Sequence, residues 1–284
     1  MSRTLTKKII DIGGVHLNGR RVRQCGLKVA VGDKVEIFID GFSLKYFRIT
    51  EDAVLYQDKY IIAINKPSLI ESQPTPARYK GTIYEALLLW LQDPFRPQLK
   101  PSLGMVQRLD RDTSGVMVFS VHPHSHKSLT DIFTTRQVRK SYLALISGCP
   151  DKKMGEFESL LAKNRATNKI KSVSKGGKLA TTKYKIINQF DDCALVEVHI
   201  PTGRTHQIRV HFAEAGHPLV GDTKYGYHET MLKFPVQRTM LHSWQLEFLH
   251  PVTKKNIQLV APVAHDMYQV LLFLGWDNDN ISTN

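Results

Sequence analysis

The chain has 284 residues, 42% of them hydrophobic and 23% charged, with 39 Lys/Arg against 26 Asp/Glu and a formal net charge of +13. This composition supplies a core and excludes wholesale disorder, and the length suits one large domain or one domain with a small appendage. No apolar run approaches the roughly 20 residues of a membrane-spanning helix, and no apolar stretch follows Met1–Lys8 to make a signal peptide.

In chain order, Lys8–Gly14 ends a short helix on glycines, and Val15–Asn18-Gly19 reads as a strand entering an Asn-Gly turn. Gly32-Asp33 is a second turn before the strand Val35–Ile39. These elements make a compact basic module over residues 1–49. The texture changes after it, and residues 50–284 are read as a second, larger domain. Tyr60–Asn65 is a short apolar strand that stops at Lys66-Pro67, because proline cannot continue a central ladder. Thr82-x-x-Glu85 is a capping box opening a helix on Ile83, Ala86, Leu87 and Trp90. Val116–Phe119 is a buried-type strand, and Leu129, Ile132 and Phe133 share a helical face. Ser141–Ile146 and Ala194–Ile200 are strands. Thr205–Ala215 reads as a helix with Thr205 as N-cap and Gly216 as its stop. Gln245–Leu249 and Asn256–Val260 form a hairpin, and the tail from Asp277 is polar and frayed. Strands and helices mix without regular alternation. The expected fold class is therefore α+β, a mixed and largely antiparallel sheet flanked by helices, plus a small amino-terminal α/β module.

The charge is uneven. Residues 1–50 hold ten Lys/Arg and four Asp/Glu, and residues 136–185 hold thirteen and three, around a nearly neutral remainder. Two basic blocks suit a polyanion, since each cation on a phosphate releases counterions. Lys163, Arg165, Lys169, Lys171 and Lys175 are expected on a loop or hairpin that clamps phosphates. The plainer alternative is a pair of solvated, solubilising faces.

Cys25, Cys149 and Cys193 are widely spaced and odd in number, which is neither a disulfide framework nor a zinc pattern and fits a reducing cytoplasm. His122, His124 and His126 could meet a metal from one side of an extended segment, but Pro123 interrupts it and no acid or cysteine lies close behind. A solvated loop is the preferred reading, and no metal is expected. There is no phosphate-binding glycine loop, dinucleotide fingerprint or nucleophile elbow.

Two segments concentrate chemistry. In Gln107-Arg108-Leu109-Asp110-Arg111-Asp112-Thr113-Ser114-Gly115, acids and arginines crowd beside a buried-type strand. An Asp beside Arg stays ionised and can serve as nucleophile or base. In Thr202-Gly203-Arg204-Thr205-His206-Gln207-Ile208-Arg209-Val210-His211, basic groups gather at a helix N-terminus, an anion-binding position. Surface ion pairs and an ordinary capped helix are the bland alternatives.

Together with Asn65-Lys66-Pro67, Lys140-x-Tyr142, Gly216-His217-Pro218, Gly221-Asp222, Leu241-His242 and His250-Pro251, these segments resemble the RluA-type pseudouridine synthases in order and spacing. The resemblance covers residues 50–264, and residues 1–49 resemble the S-four-like RNA-binding module that precedes such domains. It implies an RNA isomerase that breaks the uridine N1–C1′ bond and forms C5–C1′. The reaction is redox-neutral, so no cofactor is expected. On the family pattern Asp110 is the nucleophile or base and Arg209 its ion-pair partner. Tyr142 packs on the uracil and Ile208 lines its other side. Arg108 fills the gap left by the flipped base. Arg204, His206, Gln207, Lys140 and Thr113 complete the expected substrate-binding set. The expected partner is structured RNA, ribosomal before transfer RNA, met by a monomer. Gln107 stands where the family most often has His, the one hint toward a non-catalytic RNA-binding or ribosome-assembly factor. Asp112 is read as a turn or ion-pair residue, because a two-carboxylate glycosidase arrangement would need it to face the substrate.

Overall fold

The computed structural model describes residues 1–41, 44, 46–228 and 234–276. The tail expected to fray lies outside the described residues. The chain divides into two compact units, one of Met1–Ala53 with Ile70–Leu103, the other of Val54–Leu69 with Gly104–Asn284.

In the first unit, helix α1 (Arg3–Ile12) starts on Ser2, whose Oγ accepts the Leu5 N–H, and ends on Gly13 in the left-handed region. The strands β1 (Val15–Leu17), β2 (Arg20–Arg21) and β3 (Val35–Ile37) form a small antiparallel sheet with β1 in the middle. Residues 70–103 join this unit through backbone contacts: the Arg21 guanidinium donates to the Thr75 carbonyl (2.6 Å), and the Tyr79 N–H to that of Ile12. Helix α2 (Ile83–Trp90) has the expected cap, with the Glu85 N–H on Thr82 Oγ1. The Glu85 carboxylate closes the box one residue early, on the Gly81 N–H.

The second unit is built on one large sheet. Its strands are β4 (Val54–Gln57), β5 (Ile61–Lys66), β6 (Gly104–Met105), β7 (Ser114–Ser120), β8 (Arg139–Ser147), β9 (Met154–Asn164), β10 (Lys169–Val173), β11 (Lys178–Gln189), β12 (Cys193–His199), β13 (Leu241–Leu249) and β14 (Asn256–Val260). The main order is β10-β9-β11-β12-β8-β13-β7-β5-β4, with β14 on β13 and β6 on β7. Among the described residues every pairing is antiparallel except β13 with β7. The α+β expectation holds.

Among the described residues, three α-helices accompany the sheet: α3 (Pro123–Thr134), α4 (Gln207–Glu214) and α5 (His265–Phe273). Leu129 and Phe133 of α3 pack with Ile61, Val116, Val118 and Phe248. Met267 and Leu271 of α5 pack with Leu143, Leu145 and Leu195. Burial of such side chains contributes roughly 1.5–3 kcal/mol each.

The triple-histidine segment is a helix start, which corrects the loop reading. His122 is the N-cap of α3, its Nδ1 accepting the His124 N–H, and Pro123 occupies the first helical position. On a helix, residues two apart do not share a face. His126 instead meets Ser120 Oγ through Nδ1 at 2.9 Å.

Candidate active site

The segment from Arg108 to Thr113 is the loop between β6 and β7. It turns tightly, the Thr113 N–H donating to the Asp110 carbonyl. Two buried cations tie down its backbone. Lys66 Nζ, at the end of β5, donates to the carbonyls of Arg111 (3.0 Å), Thr113 (2.8 Å) and Pro67. Arg238 donates to the Asp112 carbonyl and to Ser114 Oγ while gripping Asp266 with two hydrogen bonds. Fixing the loop's carbonyls fixes where the Asp110 side chain can point.

Sheet register brings the rest. Ser243 of β13 pairs with Gly115 on one side and Tyr142 on the other. This parallel contact is close enough that a Cβ at Gly115, whose φ is +108°, would stand 2.1 Å from the Ser243 carbonyl oxygen, so only glycine fits. Tyr142 is thereby set one strand away from β7, the strand that follows Asp110. Burial pushes its phenol up to about 12; a Ser243 hydrogen bond opposes the rise and the Asp110 charge adds to it. The resting phenol is neutral at physiological pH.

Arg209 comes from α4. Its Nη1 donates to Asp110 Oδ2 at 2.9 Å, while Nε and Nη2 grip both oxygens of Asp222 at 2.6 and 2.8 Å. Burial works against the guanidinium charge, but Asp222 and then Asp110 outweigh it and its pKa is raised. The side chains of Arg209 and Asp222 are 8% and 1% exposed, that of Asp110 28%, so of the two carboxylates on Arg209 it is Asp110 that is open to a substrate.

His206 completes the cluster. Its backbone is left-handed (φ 53°), so α4 starts at Gln207 rather than at a Thr205 cap, correcting that expectation. The turn aims the imidazole Nε2 to 3.6 Å from Asp110 Oδ2 and its Nδ1 to 2.7 Å from the Tyr225 hydroxyl. Burial lowers its pKa, and the Asp110 charge opposes the shift.

The other expected residues divide. Arg108 is exposed on the loop and Ile208 is buried in α4. Gln207 is bonded within the fold: its oxygen accepts from Thr202 Oγ1 and the Arg204 N–H, and its amide donates to the Thr181 carbonyl and Thr182 Oγ1. Those four bonds exhaust an amide side chain. Thr113 is buried in the turn, and the Lys140 ammonium lies over the Phe133 ring. Arg204 Nε is tied to the Leu179 carbonyl. Gln107 donates to the Val116 carbonyl, and Asp112 is paired with Arg111 within the turn. Four residues went without a role in the sequence: Lys66, Asp222, Tyr225 and Arg238. Lys66, a lysine closing an apolar strand, carried a local signal; Arg238 carried none.

A family model described as RNA pseudouridylate synthase matches residues 60–214. The chain belongs to this family. Its members isomerise uridine in RNA to pseudouridine, and this chain is an isomerase of that kind. An uncharacterized RNA pseudouridine synthase of Aquifex aeolicus is 33% identical over 260 residues, 88% of this chain and 82% of the relative. The ribosomal large subunit pseudouridine synthase D of Xylella fastidiosa is 36% identical over 243 residues, 79% and 70% of the two chains. The solved structure of human RNA pseudouridylate synthase domain containing 4 shares the fold, with a TM-score of 0.66 at 24% identity, covering 80% of this chain and 95% of that one. Among the described residues no helix is long and apolar enough to cross a membrane, and no group of three or more His, Cys, Asp or Glu is placed to hold a metal ion.

Proposed function

We propose that Asp110 acts as nucleophile or base at the ribose of a uridine flipped out of structured ribosomal RNA. The observation that carries this reading is the asymmetric clamp on Arg209. Asp222 takes two of its hydrogen-bonding positions from within the fold, which leaves one aimed at a partly exposed Asp110. A carboxylate so oriented needs no reorganisation as charge develops at the sugar.

In this reading Tyr142 packs against the uracil as a neutral phenol and Ile208 bounds the other side. Arg108, exposed two residues before Asp110, enters the space the base leaves. The redox-neutral chemistry asks for no cofactor. The basic module over residues 1–49 serves as an S-four-like RNA-binding element, and the enzyme works as a cytoplasmic monomer. The odd number and wide spacing of the three cysteines support the reducing compartment. The preference for ribosomal over transfer RNA rests on that module and on the names of relatives such as the Xylella enzyme.

The test is tritium release from RNA transcribed with [5-³H]uridine. Wild-type protein should release label from large-subunit ribosomal RNA, and Asp110→Asn should bind the same RNA and release none. A wild-type protein that binds without release would favour the non-catalytic RNA-binding factor. Release from transfer RNA alone would move the substrate.

A further inference from the structure

A cavity of about 390 Å³ lies between the β9–β10 hairpin and α4, next to the Asp110 cluster but separate from it. Its size falls within the range of small-ligand sites, about 300–1,000 Å³. Lys169 and Lys171, on the sheet's end strand β10, and Lys224 of the 3₁₀ turn Thr223–Tyr225 line it together with Val210, Ala213 and Tyr225. None of the three ammonium groups is in an ion pair among the described residues. The one acid on the wall, Glu214, is already engaged, its oxygens accepting from the Ser172 N–H and Oγ.

The cavity is braced. The Ile170 N–H donates to the Tyr225 hydroxyl at 3.0 Å, fixing the hairpin to the turn. The same hydroxyl meets His206 Nδ1, whose other nitrogen faces Asp110. Two side chains therefore separate the cavity from the reacting carboxylate, and Lys224 lies within electrostatic reach of both Asp110 and Lys163. Cations around an apolar floor, one step from the base-flipping site, match the chemistry of a nucleotide: phosphate for the lysines, ribose and base for the floor.

We propose that this cavity is a second nucleotide subsite, holding an RNA residue adjacent to the flipped uridine with its phosphate among Lys169, Lys171 and Lys224. The proposal rests on the family's action on RNA. It adds a reading point beside the target, so the enzyme would select its site by the conformation of two nucleotides rather than one.

The experiment compares full-length variants by filter binding to transcribed large-subunit ribosomal RNA over a series of salt concentrations. Lys169→Ala/Lys171→Ala should raise Kd about tenfold and lower the salt slope by about one per lysine. Lys152→Ala/Lys153→Ala, an equal loss of charge on an exposed turn outside the cavity, should move Kd by less than about threefold. Ala213→Phe fills the cavity without altering charge, and Ala213→Glu places a carboxylate in it; both should weaken binding about tenfold with unchanged circular dichroism. Wild-type Kd for the Ala213 variants, or equal losses from the two lysine pairs, would overturn the subsite. Should the Ala213 variants fail to fold, the two lysine pairs still decide. Binding is read independently of turnover. Wild-type protein that releases no tritium from this transcript therefore counts against the ribosomal reading, while the Kd comparison judges the subsite.

Discussion

Arg209 and Lys171 lie in the same unit and carry the same charge, yet they are held in opposite ways. The Arg209 side chain is 8% exposed and spends three hydrogen bonds on two carboxylates. Lys171 and its neighbours Lys163, Arg165 and Lys169 are exposed along β9–β10. A buried ion pair is weak evidence for stability, since desolvation consumes much of its attraction. What it fixes here is direction, because Asp222 leaves the guanidinium a single way to meet Asp110. Exposed cations have no such direction and remain available to phosphates arriving from many angles. The catalytic cluster is thus built for geometry and the hairpin for attraction.

The sharpest way to break this contrast is at Asp110. Asp110→Asn should lower single-turnover tritium release by at least about 10²–10⁴-fold while leaving RNA affinity within a few-fold, because binding resides elsewhere. Asp222→Ala attacks geometry without touching the reacting group. Removing one partner of a buried pair costs about 3–5 kcal/mol, so the urea midpoint should fall clearly and turnover with it. Asp222→Asn should recover part of the stability.

A third prediction concerns pH. His242 is fully buried beside Ser114 and Arg238, and burial lowers its pKa to about 4. Unfolded, it would take a proton near pH 6.5, so the unfolded state gains protons first as pH falls. Stability is therefore whole above about pH 6.5 and is lost progressively toward pH 4, by about 3 kcal/mol for this group. His206 and His211, also lowered by burial, add in the same direction. Urea midpoints at pH 7.0 and 4.5 should show the drop, and His242→Gln should flatten it. The smallest effect is expected on the hairpin, where Lys163→Ala/Arg165→Ala should reduce the salt slope of RNA binding by about one per residue with the saturated rate unchanged. A large fall in that rate would show that the hairpin positions as well as attracts.

The legible parts of the site were those with short sequence signals. Asp110 beside Arg108, and Arg209 just past a Thr-Gly turn, stood out in the motifs, and the strands were readable from apolar runs. What stayed hidden depended on register. Nothing in Ser141–Ile146 or Leu241–Leu249 says that Ser243 will lie between Gly115 and Tyr142. The His206 turn escaped because Thr205 looks like a good cap. In the fold Gln207 reaches back to the Arg204 N–H, and its amide anchors on β11, which moves the cap one residue on, to His206. The polarity of that amide is visible in sequence; its four partners within the fold are not. The membership of residues 70–103 in the first unit was hidden for a like reason: carbonyls such as that of Thr75 leave no mark in a sequence.

The parallel pairing of β13 with β7 also sets a timetable. On a ribosome, β7 and β8 emerge long before the strand that must lie between them. At synthesis rates of about 5–20 residues per second, that gap is a wait of roughly 5–20 s. Throughout it, Gly115 and Tyr142 lack their common neighbour, and the facing strand edges stay open for a chaperone or for misassembly. A nascent chain that already carries both Asp110 and Arg209 is therefore still silent. The enzyme gains its activity only once the segment around Ser243 has been made and has slid into place.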